Sequence, residues 1–243
     1  MQLAGKTAVV TGGGTGIGLG VAQALARAGC HVAIVGRRAE VLAEAARRYD
    51  GSPALATFAA DVANRQDVAR LFDWARTTLG KVDILVHSAG VNVVRRAMAE
   101  LSVEDWEAML RVHATGAFLC MQAVLPEMRA RRDGLIVNIS SIAGKRASLL
   151  GGVGYTAAKF ALSGLGLTVA REEACHGIRV TNIYPGEVDT PILQQRPKPV
   201  TAEERARMLQ PEDVGAAVLM IACLPPRAHV PELVIKPTTQ DYA

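Results

Sequence analysis

A short apolar run, Lys6-Thr7-Ala8-Val9-Val10, passes directly into Thr11-Gly12-Gly13-Gly14-Thr15-Gly16-Ile17-Gly18. A helical pattern then runs to Ala28 and stops at Gly29. Few folds accept a buried strand, a glycine-dense turn and a helix in that order. The glycines let backbone approach a ligand closely, and a helix N-terminus offers unpaired N–H groups at the positive end of its dipole. An anion such as a pyrophosphate suits that place. The spacing is T-G-x-x-x-G-x-G, on Thr11, Gly12, Gly16 and Gly18, rather than G-x-G-x-x-G.

The rest of the chain alternates in the same way. Strands are expected near 6–10, 31–35, 54–59, 82–87, 134–140, 178–184 and 231–235. Helices are expected near 16–28, 39–49, 65–79, 102–130, 153–176 and 211–223. Such alternation predicts one α/β domain over residues 1–243, doubly wound around a parallel sheet. Half of the 243 residues are apolar, ample for a core. No linker, repeat or low-complexity tract divides the chain.

Several function classes are disfavoured. The N-terminus lacks the basic start and apolar core of a signal peptide, and no run of about 18 apolar residues predicts a membrane span. Cys30, Cys120, Cys175 and Cys223 follow no disulfide or zinc spacing and are expected as buried free thiols in a reducing cytoplasm. The histidines form no metal-binding motif. The net charge is +4. Most residues of the arginine pairs, Arg47-Arg48, Arg95-Arg96 and Arg131-Arg132, are expected as solvated surface rather than a nucleic-acid site.

A second motif carries chemistry. Tyr155 and Lys159 stand four residues apart in a helical run, so both lie on one helix face. A phenol titrates near 10, and a neighbouring cation draws that value toward the working range of an acid–base group. Ser141 lies fourteen residues upstream of Tyr155.

Taken in order, Thr11–Gly18, Asp61-Val62, Ser88-Ala89-Gly90, Asn138-Ile139-Ser140-Ser141, Tyr155-x-x-x-Lys159 and Asn182-Ile183-Tyr184-Pro185-Gly186 with Thr190 resemble the short-chain dehydrogenase/reductase family. The match spans residues 3–238. The resemblance implies a Rossmann-type sheet in the order 3-2-1-4-5-6-7, with a dinucleotide across its carboxyl edge. It implies that Tyr155 donates and accepts the proton, that Ser141 holds the substrate oxygen, and that Lys159 tunes Tyr155 and binds the nicotinamide ribose. Ser140 is set aside, because the family's Ser stands three residues before the Gly, here Gly144.

For the cofactor, the resemblance implicates Gly12, Gly14, Thr15, Gly16, Ile17 and Gly18 at the phosphates, and Asp61 and Val62 at the adenine. It also implicates Ser88, Ala89 and Gly90, then Pro185, Gly186, Val188 and Thr190 at the carboxamide end. The second strand ends Gly36-Arg37-Arg38 where an acid would bind a ribose 2′-hydroxyl. Guanidinium groups match a 2′-phosphate instead, so NADP(H) is favoured over NAD(H).

Three departures stand out. Thr15 occupies the place of a second basic residue found in some NADP-dependent relatives. His87-Ser88 replaces an Asn pair. His113, in Val112-His113-Ala114-Thr115-Gly116, replaces an Asn that in relatives holds a proton-relay water; a His there can titrate near neutrality.

The expected reaction is hydride transfer between NADP(H) and a small-molecule ketone or secondary alcohol. A silent nucleotide-binding module and a same-fold epimerase or dehydratase are the alternatives. Substrate candidates are Val94, Leu149, Glu187 and Leu193, with Val93, Ser148, Leu150 and Ile192 nearby, a largely apolar set. Residues 191–210 resemble a mobile lid. The helix at 153–176 is apolar on most sides, which predicts a partner for one face; the resemblance implies a homodimer or homotetramer paired through it and the long preceding helix.

Overall fold

The computed structural model describes residues 2–241. Seven parallel strands form one sheet, β1 (Thr7–Thr11), β2 (His31–Gly36), β3 (Ala56–Ala59), β4 (Ile84–His87), β5 (Gly134–Ile139), β6 (Ile178–Pro185) and β7 (Glu232–Ile235). Their order is β3-β2-β1-β4-β5-β6-β7, as the resemblance implied. The chain leaves β1 toward β2 on one side and returns to β4 on the other. The carboxyl ends of β1 and β4 therefore lie side by side, Thr11 opposite His87, and open a crevice between diverging connections.

Both sheet faces are covered, so the central strands are apolar on both sides. Alternation sorts their side chains. Val10, Ile34, Val86, Val137 and Ile183 pack with α1 (Gly16–Arg27), α2 (Ala39–Arg48) and α8 (Pro211–Ala222). Val9, Val35, Leu85 and Ile136 face the other way. There they meet α3 (Arg65–Leu79), α5 (Gly116–Arg131) and α6 (Val153–Glu173).

The helix expected at 102–130 is interrupted. α4 (Val103–Leu110) runs into a π-helical turn, Arg111–Thr115, before α5 continues. By length and composition Val103–Arg131 could cross a membrane. Here it packs Ala117, Cys120, Met121 and Val124 into the core beside the sheet. Cys30 and Cys120 are buried as expected, but Cys175 and Cys223 are exposed. Both exposed thiols sit just past the last turn of a helix, at positions the core does not cover.

α6 approaches the sheet where β5 and β6 carry buried amides. Asn138 Nδ2 donates to Asn182 Oδ1 at 2.9 Å, and Asn182 Nδ2 donates to the Ser163 carbonyl at 2.9 Å. Gly166 makes this approach possible, since a Cβ there would lie 2.6 Å from Asn138 Nδ2 and closer still to Asn182 Oδ1. Helix propensity favours Ala over Gly by about 1 kcal/mol, but overpacking against a bonded amide pair costs about 1–3 kcal/mol. Gly166→Ala is expected to lower stability despite its better propensity, read as a lower urea midpoint. An unchanged or higher midpoint would refute this packing.

Candidate active site

The crevice is built from the ends of β1 and β4. The Thr11 hydroxyl accepts from Ser88 N and Ala89 N, each at 3.2 Å. With both lone pairs engaged, it donates to His87 Nδ1 at 3.2 Å. Gly12 has φ of +66°, and a Cβ on it would stand 2.8 Å from Ala89 N. Glycine is therefore required on both grounds.

α1 begins beyond this contact. Thr15 makes no capping hydrogen bond, and the first turn holds no acid. Its leading N–H groups thus have no side-chain partner. Gly12, Gly14, Thr15, Gly16, Ile17 and Gly18 line a cleft of about 600 Å³. Asp61, Val62, Ser88, Ala89 and Gly90 line it further along, as do His113, Tyr155, Lys159 and Thr190. Arg37 and Arg38 flank it, exposed and paired with no acid among the described residues. Asp61 accepts from Ala63 N at 2.9 Å through one oxygen. An uncapped helix start, a close glycine approach and two unpaired guanidinium groups around one elongated cleft suit a dinucleotide. Pro185, Gly186 and Val188 line an adjoining smaller pocket instead.

Tyr155 lies on the wall shared by cleft and pocket. Ser141 caps the 3-10 turn Ile142–Gly144, accepting from Ala143 N at 3.1 Å, and it lines the smaller pocket together with Tyr155. Lys159, one turn further along α6, is 4% exposed. Its Nζ donates to the Ile139 carbonyl at 2.8 Å and stands 5.5 Å from the Tyr155 ring centre. Ser140 points into the α6 packing, 3.0 Å from Ser163 Oγ.

The electrostatic balance differs from the expectation of a cation-lowered phenol. Burial pushes Tyr155 up to about 12, against the opposing pull of the nearby Ser141 hydroxyl and the Arg96 charge. Burial also draws Lys159 down to about 7. Loss of hydration outweighs the pair's proximity.

His113 sits in the π-helical turn and is fully buried. Its Nε2 stands 2.8 Å from the Val91 carbonyl, and its Nδ1 lacks a partner. The ring meets Tyr155 edge-on, 5.3 Å between centres. Gly90 exists for it, because a Cβ there would lie 2.7 Å from His113 Cε1. Burial, then the Lys159 charge, holds the imidazole well below its usual range. The expectation of a near-neutral titration at His113 is therefore corrected. His87, which motif reading registered only as a replacement, is equally enclosed. Burial and Lys159 take it down to about 3.

The smaller pocket, about 180 Å³, includes Glu187 and Leu193 as expected, together with Ser148, Leu150 and Ile192. Val94 and Leu149 do not line it; Leu149 is fully exposed and Val94 is 48% exposed. Sequence reading missed Asn92, Arg96, Arg196 and Gln240. Arg96 belongs to the arginine pairs expected mostly as solvated surface, yet it is 7% exposed. Nothing in a paired-arginine motif distinguishes a buried member, since loop contacts with residues far along the chain enclose it. The pocket is consequently more polar than the apolar set expected from sequence.

Comparison with known proteins agrees with this geometry. A family model described as short chain dehydrogenase matches residues 6–200. An uncharacterized oxidoreductase of Staphylococcus saprophyticus is 36% identical over 98% of this chain and 99% of its own. A glycine betaine reductase of Emericella nidulans is 36% identical over 97% of this chain, which corresponds to 19% of that protein. Among solved structures, a closed serine dehydrogenase complexed with NADP+ superimposes with a TM-score of 0.89 at 31% identity, covering 98% of this chain and 97% of the other. An alcohol dehydrogenase from Thermococcus sibiricus complexed with 5-hydroxy-NADP gives 0.87 at 28% identity, covering 97% and 98%.

The two histidines have a thermodynamic consequence. The unfolded chain protonates them near 6.5, whereas the folded chain keeps them neutral well below that. The unfolded state then binds more protons on acidification, so stability falls as pH drops below about 6.5. For His87 the loss continues toward pH 3. Each ring contributes a slope of up to ~1.4 kcal/mol per pH unit. Urea unfolding at pH 7, 6 and 5 should show a shallower loss in His87→Asn and in His113→Asn than in wild type. Parallel slopes in all three proteins would mean that the rings titrate normally.

Proposed function

The chain belongs to the short-chain dehydrogenase family, and we propose that it transfers a hydride between NADP(H) and a ketone or secondary alcohol, with Tyr155 carrying the proton. The observation that carries this reading is the position of Tyr155 on the wall between a dinucleotide-sized cleft and a small pocket that Ser141 also lines. The nicotinamide, when bound, supplies the hydride acceptor or donor.

This chain's own residues do the rest. The Tyr155 hydroxyl gives its proton to the substrate oxygen in reduction and recovers it in oxidation. Ser141 hydrogen-bonds the same oxygen and fixes its direction. Lys159, when protonated, stabilises the tyrosinate left behind. His113, neutral and bonded to the Val91 backbone, holds the ring edge of Tyr155 from behind. The backbone at 12–18 and the start of α1 receive the pyrophosphate, and Arg37 and Arg38 receive a 2′-phosphate. NADP(H) is preferred over NAD(H) on the strength of those two unpaired guanidinium groups.

Assembly follows the family habit. α6 exposes Val153, Phe160 and Leu167 at seven-residue intervals, and α4 and α5 expose Trp106 and Phe118. A homodimer or homotetramer would cover them. Phe160→Glu is expected to shift the sedimentation coefficient toward a monomer. A wild type that already sediments as a monomer would rule this out.

Tyr155→Phe keeps the ring and removes the acid. Turnover of NADPH with activated ketones should fall by the ~10²–10⁴ typical of general acid–base catalysis, while NADPH binding by fluorescence titration stays close to wild type. Near-normal turnover would assign the proton to another group. Arg37→Asp should reverse most of an NADPH preference of about ten- to a hundredfold in kcat/KM, the range of a charge-assisted contact. Equal use of NADPH and NADH by wild type would refute the 2′-phosphate assignment.

A further inference from the structure

Arg96 is an anomaly of the small pocket. It is 7% exposed, yet no carboxylate pairs with it among the described residues. Nε donates to the Val93 carbonyl at 2.8 Å, one terminal nitrogen to the Leu150 carbonyl at 2.8 Å, and the other to the Gln195 carbonyl. A guanidinium has five N–H donors. Each terminal nitrogen therefore keeps one N–H donor beyond these carbonyls, and guanidinium donors match carboxylate oxygens.

The surrounding charge points the same way. Arg196 lines the pocket and pairs with Glu187 at 3.3 Å, so that pair is neutral. Arg96 is left as an uncompensated cation, and burying a charge without a partner is costly. Burial and the Arg196 charge both depress its ionisation, whereas Tyr155 favours its charged form. Three backbone carbonyls from separate loops hold the group in place but supply no opposite charge. A pocket of about 180 Å³ holds several waters, enough for a small organic acid.

Resting on the hydride-transfer reading above, we propose that the substrate is a small oxo acid or hydroxy acid whose carboxylate is bound by Arg96, which makes Arg96 a specificity-determining residue. The carboxylate would bring the missing counter-charge into a desolvated site. Arg96 and Tyr155 line the same pocket, so a short acid held by one would present its carbonyl to the other. A neutral ketone of the same shape would leave the buried cation unpaired and lose affinity.

The test compares oxo acids of about four or five carbons, with the keto group at position 2, 3 or 4, with their methyl esters, using NADPH and wild type, Arg96→Met and Arg96→Lys. Wild type should favour at least one acid over its ester by about tenfold or more in kcat/KM, through KM. In Arg96→Met that ratio should collapse, because the acid loses about ten- to a hundredfold more than the ester. Arg96→Lys should keep part of the preference. A wild type without acid preference overturns the proposal. So does an Arg96→Met that loses acid and ester equally, since Arg96 is then only a tie between loops. Should Arg96→Met fail to fold, the wild-type ratio and Arg96→Lys still decide.

A binding arm separates this from failure of the reductase reading. Butyrate should raise the Tm of wild type saturably where butyramide does not, and Arg96→Lys should weaken the shift. Turnover of neutral diketones without any butyrate effect leaves the reductase reading standing and overturns the carboxylate site. No turnover of any ketone, with the butyrate shift intact, sinks the reductase reading and leaves an anion site at Arg96. Absence of both overturns both.

Discussion

Everything at the site depends on how closely the turn after β1 approaches the turn after β4. Gly12 stands where any Cβ would strike the Ala89 amide, and Thr11 ties the two strand ends by accepting from both Ser88 N and Ala89 N. Those bonds satisfy backbone donors that the diverging chain would otherwise leave unpaired. They also set the start of α1 at the mouth of the crevice. With the two strand ends further apart, the helix N-terminus would not share a cleft with Tyr155 and Lys159.

A second constraint anchors the catalytic side. α6 carries both Tyr155 and Lys159, and it is seated by small residues and a buried polar ladder. Ser140 meets Ser163, and Asn182 links Ser163 to Asn138. Such a ladder is stable because nearly every member is satisfied, and it fixes the helix in register along the strands. Ser141, next to Ser140, then faces the opposite way, toward the phenol. Adjacent residues with identical side chains thus meet different surroundings, one the α6 packing and one the small pocket.

The interior near Lys159 is unusual in its load of imidazole. His87 and His113 both face a buried ammonium, and each keeps one nitrogen without a partner. Burial and Lys159 keep the rings neutral, and burial draws Lys159 itself down to about 7. The π-helical turn that presents His113 widens the helix by one residue at the point where Gly90 must pass. π-turns recur at functional positions because they re-aim one side chain without ending the helix.

The order of strands and helices, the glycine turn and the shared helix face of Tyr155 and Lys159 were legible in the sequence, while Ser141 joined them by resemblance. Periodicity reports which face of an element is apolar, and motif spacing reports which residues share a helix face or a turn; both are local properties. The sheet order came from resemblance and needed the structure to stand on its own. Tertiary structure alone decided that Arg96 is buried and Arg95 is not, that Leu149 faces solvent while Leu150 lines the pocket, and that Cys175 and Cys223 are open. It also decided the protonation balance. A neighbouring Lys predicts a more acidic Tyr, and a free imidazole predicts titration near neutrality, but desolvation reverses both. Desolvation is the sum of everything packed around a group, from β4, β5, α5 and α6 together, and no stretch of sequence contains that sum.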